Sequence, residues 1–369
     1  MNLAIAEFRR AKGRFASITG ALSLIVFLVL VLGALGDGLF FGGTGAIRSS
    51  TAGAYAFSAD AEGSLVRSRL PLSTESELEA ETGVVQATAI GALITTTSSV
   101  PDGADVVVMG FVPEADPAGV PSEVVEGRLP TPARPDGVAV DASLAADGLG
   151  LGATLVVGGV ATPVVGVVAD AQYQGIPTAW ASFETYGAMR AAVRPELAGQ
   201  PAQPSTFGLI LADGVTAEQV TAPAGTSILS SEQTYLSIPG VREQKSSLNA
   251  IIGASLAVGG LVVALFFALV VLEKRELFAA LKALGASSRR LGGGVVLQAL
   301  GATVTAVIIG AVAARAVGWL LPDDIPFLFR PETLVVSATL TIVAGVVGAV
   351  LSLRRISRID PATALGGSL

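Results

Sequence analysis

Neither cysteine nor histidine occurs anywhere in the 369 residues. The first absence removes disulfides and thiol nucleophiles. The second removes the imidazole base and the nitrogen ligand of most zinc and haem centres. Charge is scarce too: 14% of residues are Asp, Glu, Lys or Arg, against about 25% in an ordinary soluble domain. Lysine stands at only four positions, Lys12, Lys245, Lys274 and Lys282, and none follows a glycine. No Gly-x-x-x-x-Gly-Lys phosphate loop is therefore present, and any ATP hydrolysis that drives this chain belongs to a separate subunit. The net charge of -7 argues against a nucleic-acid partner.

What remains is apolar: 51% of residues are hydrophobic and the mean hydropathy is +0.67. Residues 15–36, 246–272, 291–314 and 333–353 carry no Asp, Glu, Lys or Arg. Each stretch exceeds the roughly 20 residues a helix needs to cross about 30 Å of hydrocarbon. The expected fold class is a membrane α-helical protein, four transmembrane helices in a 1+3 arrangement, with an extracytoplasmic α+β domain. A cleaved signal peptide is the alternative for the first span. Its core is longer than a signal core, and Leu39, Phe40 and Phe41 continue the apolar run with no small-residue cleavage site.

Basic residues near helix ends set the orientation. Twelve of the 23 sit in three short segments: Arg9, Arg10, Lys12 and Arg14; Lys274, Arg275, Lys282, Arg289 and Arg290; Arg354, Arg355 and Arg358. These segments are expected in the cytoplasm. The acid-rich stretch with Asp60, Glu62, Glu75, Glu77, Glu79 and Glu81, and the loop with Asp323 and Asp324, are expected outside. The reading along the chain is a cytoplasmic amphipathic helix (residues 1–14), first span (15–41), outer domain (42–245), second span (246–272), cytoplasmic connection (273–290), third span (291–314), outer loop (315–332), fourth span (333–353) and cytoplasmic tail (354–369). The location is the cell membrane, multi-pass, with both termini inside.

The spans contain no ionisable group away from their edges, which excludes a proton relay or an ion-coordinating carboxylate there. Small residues recur at helical spacing: Gly253 and Ala257, Ala306 and Gly310, then Ser337, Thr341, Gly345 and Ala349. Such stripes let backbones approach closely, either within the bundle or across a homodimer seam. In the connection EKRELFAALKALGASSRR, Leu277, Ala280, Leu281 and Leu284 fall at i, i+3, i+4 and i+7, predicting an amphipathic helix stopped at Gly285. It either lies on lipid headgroups or docks a cytoplasmic partner. Ala4, Phe8, Ala11 and Phe15 line one side of the N-terminal helix, as in an interfacial anchor.

In the outer domain, Thr74-Glu75-Ser76-Glu77 reads as a capping box opening a short helix that ends near Gly83. Residues 84–97 and 105–112 read as strands. Valine-rich runs punctuated by Gly, Pro and Asp-Gly follow, suggesting a small sheet or partial barrel around a short helix at residues 142–146. An αβ stretch covers residues 183–211. No nucleophile pairs with a base, so the domain reads as a binding or gating module.

Three stretches carry a resemblance: EKRELFAALKALGAS, LRRISRIDPATAL, and EGRLP followed by DGVAVDASLAADGLGLGATL. With the order of spans, they make the chain similar to the MacB or FtsX-like permease family of ABC transporters. The resemblance implies a homodimer of permeases with two ABC ATPase subunits docked inside, embedded in membrane lipid, without nucleic acid. Glu276, Leu277, Lys282, Ala283, Leu284 and Gly285 match the family's ATPase-coupling segment. QYQGIP, and YLSIPGVREQKSSLNAIIG leading into the second span, look most like the haem-exporting HrtB branch, related to the DevC group. That likeness implies haem as the expected substrate, no resident cofactor of the chain's own, and ATP bound by the partner. The positions matching the branch's aromatic haem contacts are Tyr173 and Tyr235, with Phe57 a weaker match because Tyr55 lies two residues away. Tyrosine oxygen can ligate ferric haem, and Arg242, Lys245 or Arg48 would meet the propionates. The same aromatics also read as interfacial anchors or core. Other cargoes implied by the family are an amphipathic drug, peptide or lipid, and a further role is control of a cell-wall hydrolase without transport.

Overall fold

The computed structural model describes residues 12–114, 116–273, 275–284, 286–322 and 325–357. Most of the expected N-terminal helix, Lys274, Gly285, the Asp323–Asp324 pair and the tail from residue 358 lie outside the described residues. The chain divides into two compact units. One comprises the residues up to Gly38 together with those from Lys245 onward, and the other is Leu39–Gln244.

The first helix, α1 (Lys12–Arg48), has 37 residues. At 1.5 Å per residue it is about 55 Å long, well beyond about 30 Å of hydrocarbon. Its last stretch, from Leu39, belongs to the outer unit, so α1 continues past the uncharged run that marked the first span.

The outer unit contains β1 (Ala54–Ser58), α2 (Thr74–Glu79), β2 (Val84–Thr97), β3 (Ala104–Phe111), β4 (Val124–Gly127), β5 (Val138–Asp141) and α3 (Ala142–Leu144). It continues with β6 (Thr154–Val157), β7 (Val160–Val168), β8 (Thr178–Ser182), α4 (Phe183–Val193), β9 (Thr206–Leu211), β10 (Thr226–Ser230) and α5 (Ser231–Ser237). The strands form one ten-stranded sheet in the order β10-β1-β9-β2-β3-β8-β5-β7-β4, with β6 paired to β7. The β3–β8 and β5–β7 pairs are parallel and the others antiparallel. A single mixed sheet thus replaces the small sheet or partial barrel expected. The reason is non-local: β1 pairs with β9 and β10, some 150 residues later, which local alternation cannot reveal.

Side chains alternate across a strand, and here the alternation sorts two cores. On β3, Val107, Met109 and Phe111 join one cluster with Trp180 of β8, Ala139 of β5 and the end of α1 at Ala46 and Ile47. Val106 and Val108 join another with Val138, Val140, Ala179, Ala181, and Tyr186 and Met189 of α4. Both faces of the central strands are therefore covered.

Local caps follow the chemistry of their residues. Ser182 Oγ accepts from the Thr185 amide at 3.3 Å to open α4. Asp141 accepts from the Ser143 amide at 3.0 Å to open α3. A reciprocal Ser230–Gln233 box opens α5. The capping box expected at Thr74 and Glu77 is absent: Ser73 is the N-cap, without a side-chain cap bond, and Thr74 is buried inside the first turn. A buried threonine is occupied by packing and is not available to hold the helix end.

The helical unit adds α6 (Val241–Glu273), α7 (Arg275–Ala283), α8 (Ser288–Leu320) and α9 (Pro331–Ser357). With α1, three of these are long and apolar enough to cross a membrane. Small residues let them meet closely. A Cβ on Gly348 would collide with the Gly260 carbonyl, one on Gly310 would lie 2.7 Å from Val26, and one on Gly345 would lie 2.6 Å from Thr303. Gly253 is different: none of the described residues lies within 4 Å of its Cβ position, and it and Ala257 are exposed. Buried hydroxyls turn back on their own helices. Thr303 donates to the Ala299 carbonyl at 2.8 Å, Thr341 to Ser337 at 2.7 Å and Ser23 to Thr19 at 2.7 Å. Between Leu22, Ile25, Leu256, Gly260, Thr303 and Thr341 a cleft of ≈ 10 Å³ remains, about enough for one water.

Candidate functional site

The segment after β7, from Asp170 to Ile176, folds back on the upper end of α1. Asp170 and Gln174 adopt left-handed backbone, with φ of 44° and 56°. The Tyr173 and Ile176 amides and carbonyls exchange bonds at 2.9 and 3.0 Å, closing a tight loop. Its backbone then bonds the last turns of α1. The Ala46 amide donates to the Gln172 carbonyl at 2.8 Å, the Gln174 amide to Gly43 at 2.8 Å, and the Gly175 amide to Gly42 at 3.3 Å. The glycines of Phe-Phe-Gly-Gly-Thr-Gly permit this approach, since a Cβ on Gly45 would collide with the Asp170 carbonyl.

This loop puts Tyr173 in the same cluster as Phe57 of β1, and Tyr235 of α5 packs against that cluster from its edge together with Phe40 and Ile176. The three aromatics singled out in the sequence are thus brought together in one region of the outer unit. They differ in access. Phe57 is fully buried, Tyr173 is 1% exposed and Tyr235 is half-buried. Tyr55, two residues before Phe57, faces the same cluster because the strand period is two; its hydroxyl bonds Ser50, and burial pushes its pKa up.

The Tyr173 hydroxyl is buried with no hydrogen-bond partner among the described residues. Burial pushes its pKa up to about 12, with the nearby Gln174 side chain opposing. Tyr235 is also raised, by burial first and then by Glu232, while Arg48 opposes. Its ring stands edge-on to Phe40 at 5.5 Å, and the Arg48 guanidinium lies 4.2 Å over the Phe41 ring. Phe40 and Phe41, read from sequence only as an extension of the first span, therefore belong to this aromatic group. The signal for them was their place just before the Gly-Gly-Thr-Gly run. Arg242 is exposed.

On α7 the buried side chains are Phe278 and Ala279, in a cluster with Phe15, Ile18 and Val271. The stripe found by periodicity points elsewhere: Leu277 is 49% and Leu284 85% exposed, and Glu276 and Ala280 are exposed with them. Lys282 is half-buried. The side chain of Ala283 and all of Gly285 fall outside what is described. The arrangement leaves two leucines and a carboxylate on one outward helix surface.

Comparison with known proteins accounts for both ends of the chain. Residues 17–225 match the MacB-like periplasmic core domain and residues 249–361 the FtsX-like permease C-terminal domain. An ABC transporter permease of Mycobacterium tuberculosis is 28% identical over 383 residues, covering 99% of both chains. A Staphylococcus epidermidis permease assigned to a hemin transport system, HrtB, is 23% identical over 143 residues, covering 39% of this chain and 41% of its own. The periplasmic region of MacB from Actinobacillus actinomycetemcomitans aligns with a TM-score of 0.35 at 14% identity, over 53% of this chain and 96% of that one. With one model spanning more than half its length and a second taking most of the rest, the chain belongs to the MacB-like, FtsX-like permease family: it is the permease subunit of an ABC transporter, a membrane protein with an extracytoplasmic core domain, powered by a partner ATPase.

Proposed function

We propose that the chain is the permease of an ATP-driven haem exporter that works as a homodimer with two ATPase subunits, both termini lying in the cytoplasm of a cell-membrane complex. The observation that carries this reading is the aromatic group at the end of α1. Tyr173 and Phe57 share one core there, Tyr235 and Phe40 pack against it, edge to face with each other, and Phe41 stands edge-on to Phe40; a flat apolar macrocycle is the kind of cargo that ring faces hold. The S. epidermidis relative supports the same cargo. Arg48, over Phe41 and beside Tyr235, is the cation placed to meet a propionate. Tyr235, the accessible member, makes the first contact. Tyr173, whose buried phenol holds its proton, binds iron only once the Asp170–Ile176 loop opens. The haem is cargo, and no resident cofactor is required.

Outward Leu277, Leu284 and Glu276 on α7 support ATPase docking at that surface, with Lys282, Ala283 and Gly285 completing the matching segment. Titrating hemin into the purified full chain tests the cargo. A saturable absorbance band that weakens in Tyr235→Ala and Tyr173→Ala is expected. An unchanged band in both variants removes these residues from the site, and no band at all transfers the cargo to another amphipathic molecule. Labelling of a cysteine introduced at Leu277 from outside intact cells would overturn the orientation.

A further inference from the structure

We propose that Arg69, Arg190 and Arg194 form a binding site for a phosphate-type oxyanion on the α4 side of the outer sheet. Tyr186 fixes the centre of the site. Its ring fills the space above Gly91 of β2 and Gly110 of β3, where a Cβ on either glycine would collide with it. Its hydroxyl reaches the Ala92 carbonyl at 3.4 Å. The Ala92 amide donates to Ser205 Oγ at 3.2 Å, and Arg69 Nη1 donates to the same oxygen at 3.4 Å. Arg69 is thereby held at the hydroxyl end of the ring. Arg190 lies one helical turn beyond Tyr186 on the same face of α4, and Arg194 is the C-cap residue a turn later.

The three charges feel one another. Burial, and after it Arg194 and Arg190, lowers the Arg69 pKa, with Tyr186 opposing. Burial raises the Tyr186 pKa, while Arg69, Arg190 and Arg194 draw it down.

Arg190 is 8% exposed, yet its guanidinium has no hydrogen bond or ion pair among the described residues. Arg194 likewise has none, and Arg69 spends Nη1 on Leu65, Ser68 and Ser205 while Nη2 and Nε remain open. A buried cation without a counter-charge is costly. Carboxylates are not in short supply: between residues 42 and 244 eight arginines and no lysine stand against twenty-two Asp and Glu. Three of those eight arginines nonetheless gather where no carboxylate among the described residues binds them. The helix C-terminus favours some positive charge, but its half-charge does not balance three. The planar forks of guanidinium groups match phosphate oxygens in pairs, and three of them suit a dianion. Exposed Arg69 and Arg194 flank buried Arg190, so the ligand enters from solvent. Tyr186, the centre of the site, packs in a different core from Tyr173, and the test of the site does not depend on the haem reading.

The test uses the purified full chain in detergent at constant ionic strength, titrated with sodium phosphate against sodium chloride. Phosphate is expected to raise the melting temperature saturably, by on the order of 5 °C near 100 times Kd, and chloride is not. Arg190→Gln should abolish the rise. Without phosphate the same variant should melt at or above the wild-type temperature, because like-charge repulsion is relieved. A purely structural Arg190 gives the opposite pattern, a lower melting temperature and an undiminished phosphate response, and overturns the proposal. So does a wild-type response that chloride reproduces. A third arm substitutes dioctanoyl phosphatidic acid for phosphate. A response to inorganic phosphate assigns a free ligand, and a response to the lipid alone, lost in Arg190→Gln, assigns a lipid-borne phosphate. No response to either overturns the site.

Discussion

The carbonyl oxygen of Asp170 occupies the space that a side chain on Gly45 would need. One residue thereby controls whether the loop bearing Tyr173 can seat against α1. Gly45→Ala should force the two apart and cost about 1–3 kcal/mol, the usual penalty of overpacking. Gly43→Ala, two residues away with none of the described residues within 4 Å of its Cβ position, should be neutral or stabilising by up to about 1 kcal/mol, since alanine favours helix. Melting temperatures of the two variants measure the contrast, and equal losses would mean that the helix dislikes substitution generally.

Tyr173→Phe removes a buried hydroxyl that has no partner among the described residues. Such groups cost roughly 1–3 kcal/mol of desolvation, so at pH 7 the variant should be as stable as the wild type or slightly more so. Its effect on pH dependence has a definite sign. The folded-state pKa, pushed up to about 12, lies above the ordinary value of 10.0. The folded protein therefore holds the proton longer than the unfolded chain, and Tyr173's contribution is fully present below pH 10 and lost as pH rises through 12. Chemical denaturation at pH 9, 10.5 and 12 should show a fall that is shallower in Tyr173→Phe. A parallel fall in both proteins would place the titrating group elsewhere.

On α7 neighbouring residues should behave oppositely. Phe278 is buried against Phe15 and Val271, so Phe278→Ala should lower stability by about 3–5 kcal/mol. Leu284 is 85% exposed, so Leu284→Asp should leave the unfolding free energy within about 0.5 kcal/mol of wild type while abolishing co-purification of the partner ATPase. Retention of the ATPase by Leu284→Asp would remove this residue from the docking surface.

Two glycines of the membrane helices separate bundle packing from dimerisation. Gly348→Val drives a side chain into the Gly260 carbonyl and should prevent recovery of folded protein. Gly253→Val meets nothing among the described residues and should fold normally. If the homodimer seam runs along Gly253 and Ala257, mass measurement in detergent should show that variant as a monomer, and an intact dimer would place the seam elsewhere.

The membrane helices were legible because so long a run without charge belongs in lipid, and β2 reads from Val84 to Thr97 because β-branched residues and alternation agree there. Sheet order was not legible, since Tyr55 lies opposite Leu229 and Gly208 and nothing local encodes such distant pairing. The arginine group escaped for the same reason: Arg69 and Arg190 come within electrostatic reach of one another only when the sheet is complete. The stripe of Leu277 and Leu284 was visible, but periodicity identifies a face without saying whether it is buried, and the outward direction required the structure. Tyr173 was selected by its neighbours in sequence, and its burial depends on glycines well over 100 residues earlier.

The hydroxyls of Thr303, Thr341 and Ser23 satisfy themselves on carbonyls of their own helices. Their donors are therefore spent inside each helix, and the cleft beside Thr303 and Thr341 accommodates about one water molecule. At this gap an ion would meet about one water's worth of space and no file of water, a packing that suits a permease whose driving energy comes from a partner ATPase and not from an ion gradient.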